Sequence, residues 1–229
     1  MPSISAQVRD LPHCGSAAGI HVIDAALRDP HEARRLADLA RFAVDEGFYP
    51  GIRAPLPDAL RNEITGLVRG ALRVGDAAAV VLEDATFGIV CRPPAALLPA
   101  QRLPHYDGTS PDLLAGVLYL SSHPVGGTAF YRHVGTGLER IDATSEARYH
   151  QALGADIATY GPPPPGYFGT YPGVFERIAE CEGRFNRLLL YPGNLLHSGL
   201  IANDPPPIPC RVRGRLTITC FLSRRPEIG

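Results

Sequence analysis

The spacing of apolar residues changes along the chain, from a helical period to a strand period. Apolar residues recur at helical spacing over 29–48 and again over 57–75. Asp29 or Pro30 can begin the first of these segments, and Gly47 can end it. The pattern therefore predicts two amphipathic helices near the N-terminus, preceded by a loose arm over residues 1–20.

Beyond residue 77 the apolar runs become short and rich in β-branched residues, which is typical of strands. Clusters of Gly, Pro, Ser and Asp separate these runs, and no helix-length segments alternate with them. Helices followed by many short strands favour a β-sandwich or barrel with flanking helices over a doubly wound α/β fold. The predicted strands contain the segments AAAVVLED, TFGIVCR, LLAGVLYLSS, GGTAFYRH, FNRLLLYPG, LLHSGLIA and GRLTITCFLS.

One long segment, at about 135–180, interrupts the strand pattern. The piece 145–159 can form a short helix, but GPPPPG cannot be a central strand because proline lacks the N–H donor. Aromatic residues are frequent between positions 160 and 175, and they favour a packed lid over disorder. We therefore expect a lid-like insertion within the strand-rich core.

Length and composition fit one domain over residues 1–229, with an arm and helical buttress at 1–77 and the strand-rich core at 78–229. The net charge is −1, so no basic field exists to attract nucleic acid. The chain shows no signal peptide and no membrane-length apolar run. Five cysteines at scattered spacing indicate reduced thiols, so we expect a cytoplasmic protein.

Candidate chemistry begins with the segment PHYD, in which His105 and Asp107 are two residues apart. In a strand, residues two apart point to the same side, so an imidazole and a carboxylate would lie together. A further histidine, His197, follows the strand and Pro-Gly turn of FNRLLLYPGNLLHSG. Two histidines and one carboxylate form the facial triad of non-haem Fe(II) sites, which leaves three coordination positions open.

The last predicted strand, GRLTITCFL, supplies a cation for the same site. Arg215 opens the strand, and Thr217 and Thr219 share its face, while alternation sends Leu216, Ile218 and Cys220 to the other side. All 22 basic residues are arginine, so a permanent side-chain cation must be an arginine. Its rigid fork suits the distal carboxylate of a 2-oxo acid chelated to the metal.

These segments together resemble the 2-oxoglutarate/Fe(II)-dependent oxygenases, specifically the prolyl-4-hydroxylase-like branch and a bacterial subfamily of it. The resemblance covers roughly residues 80–225 and is strongest in PHYD with VLYLSSHPVGGTAFY, in FNRLLLYPGNLLHSG and in GRLTITCFL. It implies a mainly β fold, the double-stranded β-helix or cupin-like jelly roll, with Fe(II), 2-oxoglutarate and O2 as cofactor and co-substrates.

Carried over to this chain, the resemblance implies that His105, Asp107 and His197 bind iron. It implies that Arg215 pairs with the distal carboxylate of 2-oxoglutarate, with Tyr119 and Thr217 as further contacts. The 18-residue gap from His197 to Arg215 is longer than the roughly ten that the family uses, so Arg211 and Arg213 are rivals. Arg213 is the first alternative because alternation places it on the face of Arg215.

The implied activity is hydroxylation, or another C–H oxidation, of a small-molecule or amino-acid-derived substrate, with release of succinate and CO2. The presence of Asp107 favours hydroxylation over halogenation. Arg132 and His133 are candidate substrate contacts, although Arg132 can equally pair with Glu139, and Tyr106 is a third candidate. We expect neither nucleic acid nor a membrane as partner, and a homodimer is compatible with the sequence.

Three alternatives remain open at this point. The insertion could form the wall of a groove in a hydroxylase of peptide or protein side chains. The chain could be a jelly-roll protein that binds a metal or ligand without catalysis. The same three ligands could hold zinc in a hydrolase, but that interpretation gives Arg215 and Tyr119 no role.

Overall fold

The computed structural model describes residues 7–11, 19–72 and 80–225, which form two antiparallel β-sheets flanked by three helices. The larger sheet has eight strands in the order β1-β2-β9-β6-β11-β5-β4-β3. None of the described helices is long and apolar enough to cross a membrane. The strands of the larger sheet are β1 (Gln7–Asp10), β2 (His21–Asp24), β3 (Ala43–Val44), β4 (Gly51–Pro55), β5 (Val80–Val90), β6 (Leu113–Tyr119), β9 (Arg187–Pro192) and β11 (Arg215–Arg224).

The smaller sheet has three strands in the order β10-β7-β8 and packs on one face of the larger sheet. Phe130 and Ile178 of the smaller sheet share an apolar cluster with Val117, Leu189 and other residues of the larger sheet. The two sheets with this core between them agree with the predicted mainly β, sandwich-like class. The strands of the smaller sheet are β7 (Gly127–His133), β8 (Phe175–Glu182) and β10 (His197–Leu200).

Helices α1 (Pro30–Leu39) and α2 (Asp58–Ala71) cover the opposite face of the larger sheet. Each presents small or branched apolar residues, such as Ala33 and Ile64, to strand residues such as Phe87. The third helix, α3 (Glu146–Tyr160), packs on the outer side of the smaller sheet. The order of layers is therefore α1 and α2, larger sheet, smaller sheet, α3.

Helix α1 begins where the sequence predicts but ends earlier. The Asp29 side chain accepts a hydrogen bond from the Glu32 backbone N–H at 2.9 Å, and Pro30 occupies the first turn. The helix ends at Leu39 instead of reaching Gly47. Arg211, 171 residues further on, donates to the Ala40 carbonyl at 3.0 Å and thereby satisfies an acceptor that the helix leaves free.

The prediction that helices precede all strands is wrong, because β1 to β4 lie before and between α1 and α2. Strand β1 lies in the predicted arm and pairs with β2, whereas residues 1–6 and 12–18 of that arm lie outside the described residues. The predicted boundary at residue 77 and the last residues of the second predicted helix also lie outside them. AAAVVLED and TFGIVCR contribute to one continuous strand, β5.

The predicted insertion contains more regular structure than a lid alone. Helix α3 matches the helix predicted at 145–159 to within one residue at each end. The end of the insertion forms β8, a strand of the smaller sheet that the sequence analysis missed. The segment between them, with its four consecutive prolines, is irregular, as the lack of N–H donors requires.

Candidate metal centre

The three predicted metal ligands converge in the structure. One ligand atom from each of His105, Asp107 and His197 lies within 4.8 Å of the others, close enough to share one metal ion. His197 begins β10 of the smaller sheet, where it pairs with Phe130 of β7. Two histidines and a carboxylate that are partly far apart in the sequence therefore form one cluster in space.

Backbone hydrogen bonds set the positions of these ligands. His105 and His197 exchange both N–H to carbonyl bonds, at 2.9 and 2.8 Å, in an isolated antiparallel bridge. The Asp107 N–H donates to the Gly193 carbonyl at 2.7 Å. The prediction that His105 and Asp107 belong to a regular strand is therefore wrong, since a single bridge and a bend hold them, but they still share a side.

The tautomer of His197 is set by its neighbour. Its Nδ1 lies 2.8 Å from the Leu195 carbonyl, which can only accept, so Nδ1 carries the proton. Nε2 therefore presents its lone pair, and it lies 3.6 Å from Oδ2 of Asp107. A carbonyl that orients a histidine in this way is a common arrangement at metal sites.

Burial controls the protonation of the cluster. Burial, reinforced at His105 by the charge of His197, lowers the pKa of each imidazole to about 4. Burial raises the pKa of the Asp107 carboxyl to about 6. At neutral pH both imidazoles are therefore neutral, the form that binds metal, and Asp107 is a poorly solvated carboxylate that a cation would stabilise.

The cluster lies in a cavity of about 720 Å³. Its floor comes from the inward faces of the two sheets, and its walls come from helix α3, the segment 100–107 and the loop between β3 and β4. Predominantly apolar and aromatic walls with a few polar groups are typical of small-molecule sites. The acidic, arginine and histidine side chains that line it are Asp45, Arg53, His105, Asp107, His150, His197 and Arg215.

Strand β11 places Arg215 in this cavity. Leu216, Ile218 and Cys220 pack towards the helices, whereas Arg215, Thr219 and Phe221 line the cavity, so the predicted alternation is confirmed. The Arg215 side chain is buried and donates one hydrogen bond, to the Gly127 carbonyl at 3.2 Å. Its Nε is buried without a hydrogen-bond partner, and no described carboxylate forms an ion pair with it.

The rival arginines lie elsewhere. Arg213 is exposed in the turn before β11 and does not share the strand face of Arg215, which corrects that expectation. Arg211 caps the end of α1 and stacks on Phe42, with its guanidinium carbon 5.3 Å from the ring centroid. Of these three arginines, Arg215 is the one that lines the cavity.

Tyr119 and Thr217 lie beside Arg215 but behind the cavity surface. The Tyr119 hydroxyl is 2.8 Å from the Thr128 hydroxyl, and its ring centroid lies 5.5 Å from the Arg215 guanidinium carbon. Thr217 is fully buried, and its hydroxyl lies 3.5 Å from the Gly88 carbonyl. The hydroxyls that line the cavity in this region belong to Thr128 and Thr219.

Two of the three predicted substrate contacts lie away from the cavity. Arg132 donates to Glu139 at 2.7 Å and to Glu176 at 2.9 Å, so the pairing with Glu139 that the sequence left open is the one observed. His133 is fully buried, with Nε2 2.9 Å from Asp156. These residues connect β7 to its surroundings, which corrects the expectation that they reach the substrate.

The third candidate, Tyr106, does line the cavity. Its hydroxyl donates to Glu146 of α3 at 2.7 Å and lies 2.9 Å from Nε2 of His150. Through this contact the metal-ligand segment is connected to the insertion. Tyr149, His150 and Leu153 of the same helix line the cavity, so α3 is one of its walls.

The sequence analysis missed the contribution of the loop and strand at 45–53. Tyr49 lines the cavity, and its buried hydroxyl lies near the Thr217 side chain but makes no hydrogen bond of normal geometry with the described residues. A Cβ added at Gly88 would lie 2.6 Å from that hydroxyl, so β5 admits the tyrosine only because residue 88 is glycine. A glycine inside the apolar strand TFGIV was the available signal for such a close approach.

Two solved structures have folds similar to that of this chain. HygX from Streptomyces hygroscopicus, with nickel and 2-oxoglutarate bound, is 13% identical over 91% of this chain and 84% of its own, with a TM-score of 0.54. SnoN, a non-heme alpha ketoglutarate dependent epimerase from nogalamycin biosynthesis, is 14% identical over 92% of this chain and 80% of its own, with a TM-score of 0.51. At this identity the likeness establishes that the chain shares the fold of HygX and SnoN, and no more.

The comparison with curated proteins finds no match. The family model that matches covers residues 2–222, which include every residue of the cavity and all three ligands. On this evidence the chain belongs to the family of unknown function DUF6445.

Proposed function

We propose that this protein is a non-haem Fe(II)- and 2-oxoglutarate-dependent oxygenase that hydroxylates, or otherwise oxidises a C–H bond of, a small molecule. The observation that carries the proposal is a buried arginine, Arg215, that has no carboxylate partner among the described residues and lies in the same cavity as the cluster of His105, Asp107 and His197. An unpaired buried guanidinium is costly, so its presence indicates an anionic ligand.

The charges of the proposed complex balance. Fe(II) with Asp107 and two neutral imidazoles carries one positive charge, and Arg215 adds a second. The two carboxylates of 2-oxoglutarate cancel both. Because the site is buried, such neutrality matters more than it would at the surface.

Each group of the chain has a defined task in this proposal. Fe(II) with 2-oxoglutarate and O2 would supply the oxidising chemistry, releasing succinate and CO2. His105, Asp107 and His197 would hold the metal on one face and leave the other open. Arg215 would orient 2-oxoglutarate through its distal carboxylate, with Tyr119 and Thr217 as supporting residues, and the Tyr49 hydroxyl is a further donor beside them.

The walls of the cavity support a small-molecule substrate over a peptide. Helix α3 packs on the smaller sheet and lines the cavity, and the loop at 45–50 lines it as well, with the Phe48 ring centroid 6.2 Å from that of His105. The volume of about 720 Å³ lies within the range of ordinary small-molecule sites. HygX is described with nickel, 2-oxoglutarate and hygromycin B bound, and SnoN is described as an epimerase. Within the oxygenase class we propose hydroxylation as the reaction, because Asp107 completes the triad.

The test is an anaerobic titration of the purified protein with Fe(II) and then 2-oxoglutarate. We expect the weak visible charge-transfer band of an Fe(II) chelate with a 2-oxo acid, and we expect His197→Ala to abolish it. His150→Ala is the matched control, because His150 lines the same cavity outside the ligand cluster. Tight zinc binding without any chelate band would refute the proposal and favour the hydrolase or binding-protein alternative.

A further inference from the structure

A second charged group faces the cavity, separate from Arg215, and the charge of its arginine also acts on the carboxylate of Asp107. It consists of Asp45, in the loop after β3, and Arg53, in β4. Ile52 and Ala54, the neighbours of Arg53, pack towards the helices, so alternation directs Arg53 to the cavity face. Both side chains are largely buried, with 17% and 27% of their surface exposed.

The guanidinium of Arg53 makes no short hydrogen bond with any of the described residues. Its Nε lies 3.5 Å from Oδ2 of Asp45, longer than a hydrogen bond, and it is buried without a partner. Among the described residues none accepts a hydrogen bond from this guanidinium, which stacks on Tyr49 with its carbon 4.4 Å from the ring centroid. By contrast, Arg187 uses both prongs of its fork on Asp24, at 2.6 and 3.0 Å.

One carboxylate oxygen of Asp45 is fixed by hydrogen bonds, and the other accepts none from the described residues. Its Oδ1 accepts hydrogen bonds from the backbone N–H groups of Gly47 and Tyr49, at 2.9 and 3.2 Å. Oδ2 has only the long contact with Arg53. The pair therefore presents a fixed carboxylate oxygen beside a stacked guanidinium with free donors, an arrangement prepared for a ligand with both charges.

The charge balance of the cavity favours such a ligand. In the proposed complex the metal, its ligands, Arg215 and 2-oxoglutarate are neutral together. The charged groups that remain on the lining are Asp45 and Arg53, whose charges cancel. A ligand with one excess negative or positive charge would leave this buried region charged, whereas an uncharged ligand or a zwitterion would not. Of these two, only the zwitterion supplies an anion for Arg53 and a cation for Asp45.

We propose that Asp45 and Arg53 bind the zwitterionic head group of the substrate, and that the substrate is a free amino acid. Arg53 takes the carboxylate, and Asp45 takes the ammonium group. The aromatic side chains of Phe48, Tyr106 and Tyr149 border the space left for the rest of the molecule. This inference rests on the proposed oxygenase function and narrows its substrate class.

The test measures succinate formed from 2-oxoglutarate with Fe(II) and O2. The probes are a mixture of free L-amino acids, the matching N-acetyl amino acids, and the matching amino-acid amides. Cysteine and histidine are omitted from all three because they chelate iron. We expect the free amino acids to raise succinate formation above the substrate-free level, and each capped mixture to be about tenfold or more less effective, since each loses one charge-assisted contact.

Two variants assign the contacts. Arg53→Gln should remove the preference for free amino acids over amides, and Asp45→Asn should remove the preference over N-acetyl forms. Glu32→Gln and Arg35→Gln, which break an exposed ion pair on α1, are the matched controls and should change neither preference. The comparison among probes on the unmodified protein needs no variant, so a folding defect in one variant does not decide the outcome.

Several results would overturn the inference. Equal stimulation by free and capped mixtures would show that the head group is not recognised. No stimulation by any free amino acid, while the Fe(II) and 2-oxoglutarate chelate still forms, would exclude this substrate class. Weaker 2-oxoglutarate binding in Arg53→Gln, with Arg215→Gln unaffected, would assign Arg53 to the co-substrate instead. Failure of the chelate itself would refute the proposed function, which is a distinguishable result.

Discussion

Replacing Arg215 by methionine should move stability and ligand affinity in opposite directions. Arg215 is 8% exposed, and its guanidinium has one hydrogen bond to a backbone carbonyl and no described carboxylate partner. Methionine replaces the aliphatic part of the arginine side chain without a charge and leaves the space of the guanidinium to the adjoining cavity. The protein without ligand should therefore gain stability, while the protein with 2-oxoglutarate should lose its main ionic contact.

The magnitudes follow from burial. Replacing a poorly compensated buried charge by an apolar side chain contributes about 1–4 kcal/mol of stability, and the lost bond to Gly127 subtracts about 1 kcal/mol. For a chain of this size each kcal/mol corresponds to about 2–4 °C in Tm. We therefore expect Arg215→Met to raise the Tm of the apoprotein by a few degrees. Removing one partner of a buried charge pair costs about 2–5 kcal/mol, which is about a 30-fold or greater rise in Kd for 2-oxoglutarate.

Arg187→Met is the matched control, because Arg187 is just as buried but paired. Its guanidinium binds both oxygens of Asp24, and this contact holds the pKa of the Asp24 carboxyl below its usual value. Removing it leaves that carboxylate without its partner, so the control should lower the Tm and leave 2-oxoglutarate affinity unchanged. Thermal denaturation of the metal-free proteins and anaerobic titration of the Fe(II) forms measure the two quantities.

One pattern of results would refute the reasoning. If Arg215→Met lowers the apoprotein Tm as Arg187→Met does, the cavity cation is not an uncompensated charge. If, in addition, 2-oxoglutarate affinity stays within about threefold of the original, Arg215 does not bind the distal carboxylate. Arg213→Met, which alters an exposed turn residue, should be silent in both assays.

Three further outcomes follow from the site. Tyr49→Phe should raise the Kd for 2-oxoglutarate about tenfold. Tyr167→Phe should leave this Kd unchanged, because the Tyr167 hydroxyl already donates to the Arg92 carbonyl. Equal effects of the two substitutions would exclude a specific role for Tyr49. Gly88→Val should weaken 2-oxoglutarate binding at least as much as Tyr49→Phe does, because the new side chain displaces the Tyr49 hydroxyl. Unchanged 2-oxoglutarate binding in Gly88→Val would contradict this role of Tyr49. The affinity for Ni(II), measured by calorimetry, should fall as pH drops below about 6, because Asp107 takes up a proton there. It should fall more steeply near pH 4, where the two imidazoles are protonated. An affinity that does not change between pH 7 and 5 would show that Asp107 is not a ligand.

The stability of the apoprotein contains opposing contributions from the same groups. The folded-state pKa values of His105 and His197 are lowered from 6.5 to about 4. Their contribution to the free energy of unfolding is therefore fully present above pH 6.5 and is lost as pH falls towards 4. The folded-state pKa of Asp107 is raised from 3.8 to about 6, so its contribution is present below 3.8 and is lost as pH rises through 6. A bound metal keeps Asp107 ionised and should therefore remove its dependence near pH 6. The loss of stability from the histidines below pH 6.5 should persist and extend to lower pH, because then only the unfolded state takes up protons. A Tm series with and without Ni(II) would measure both effects.

Local patterns in the sequence were enough to predict several features of the fold. The alternation along GRLTITCFL predicted which side chains of β11 face the cavity, and the structure confirms it. The cap at Asp29 predicted the start of α1, and the period of 145–159 predicted α3. These signals work because neighbouring residues determine caps and side-chain periodicity.

Only the tertiary structure decided how the site is assembled. The end of α1 depends on Arg211, and the position of His105 depends on a bridge to His197, 92 positions away. The pairing of β11 with β5 and of β5 with β4 leaves Arg213 outside the cavity and places Asp45, Tyr49 and Arg53 on its lining. By itself, then, the chain determined the residue types of a metal site and the order in which they occur. Their convergence, and the unpaired charges beside them, required non-local strand pairing, which brings distant residues together and decides which polar groups lose their water.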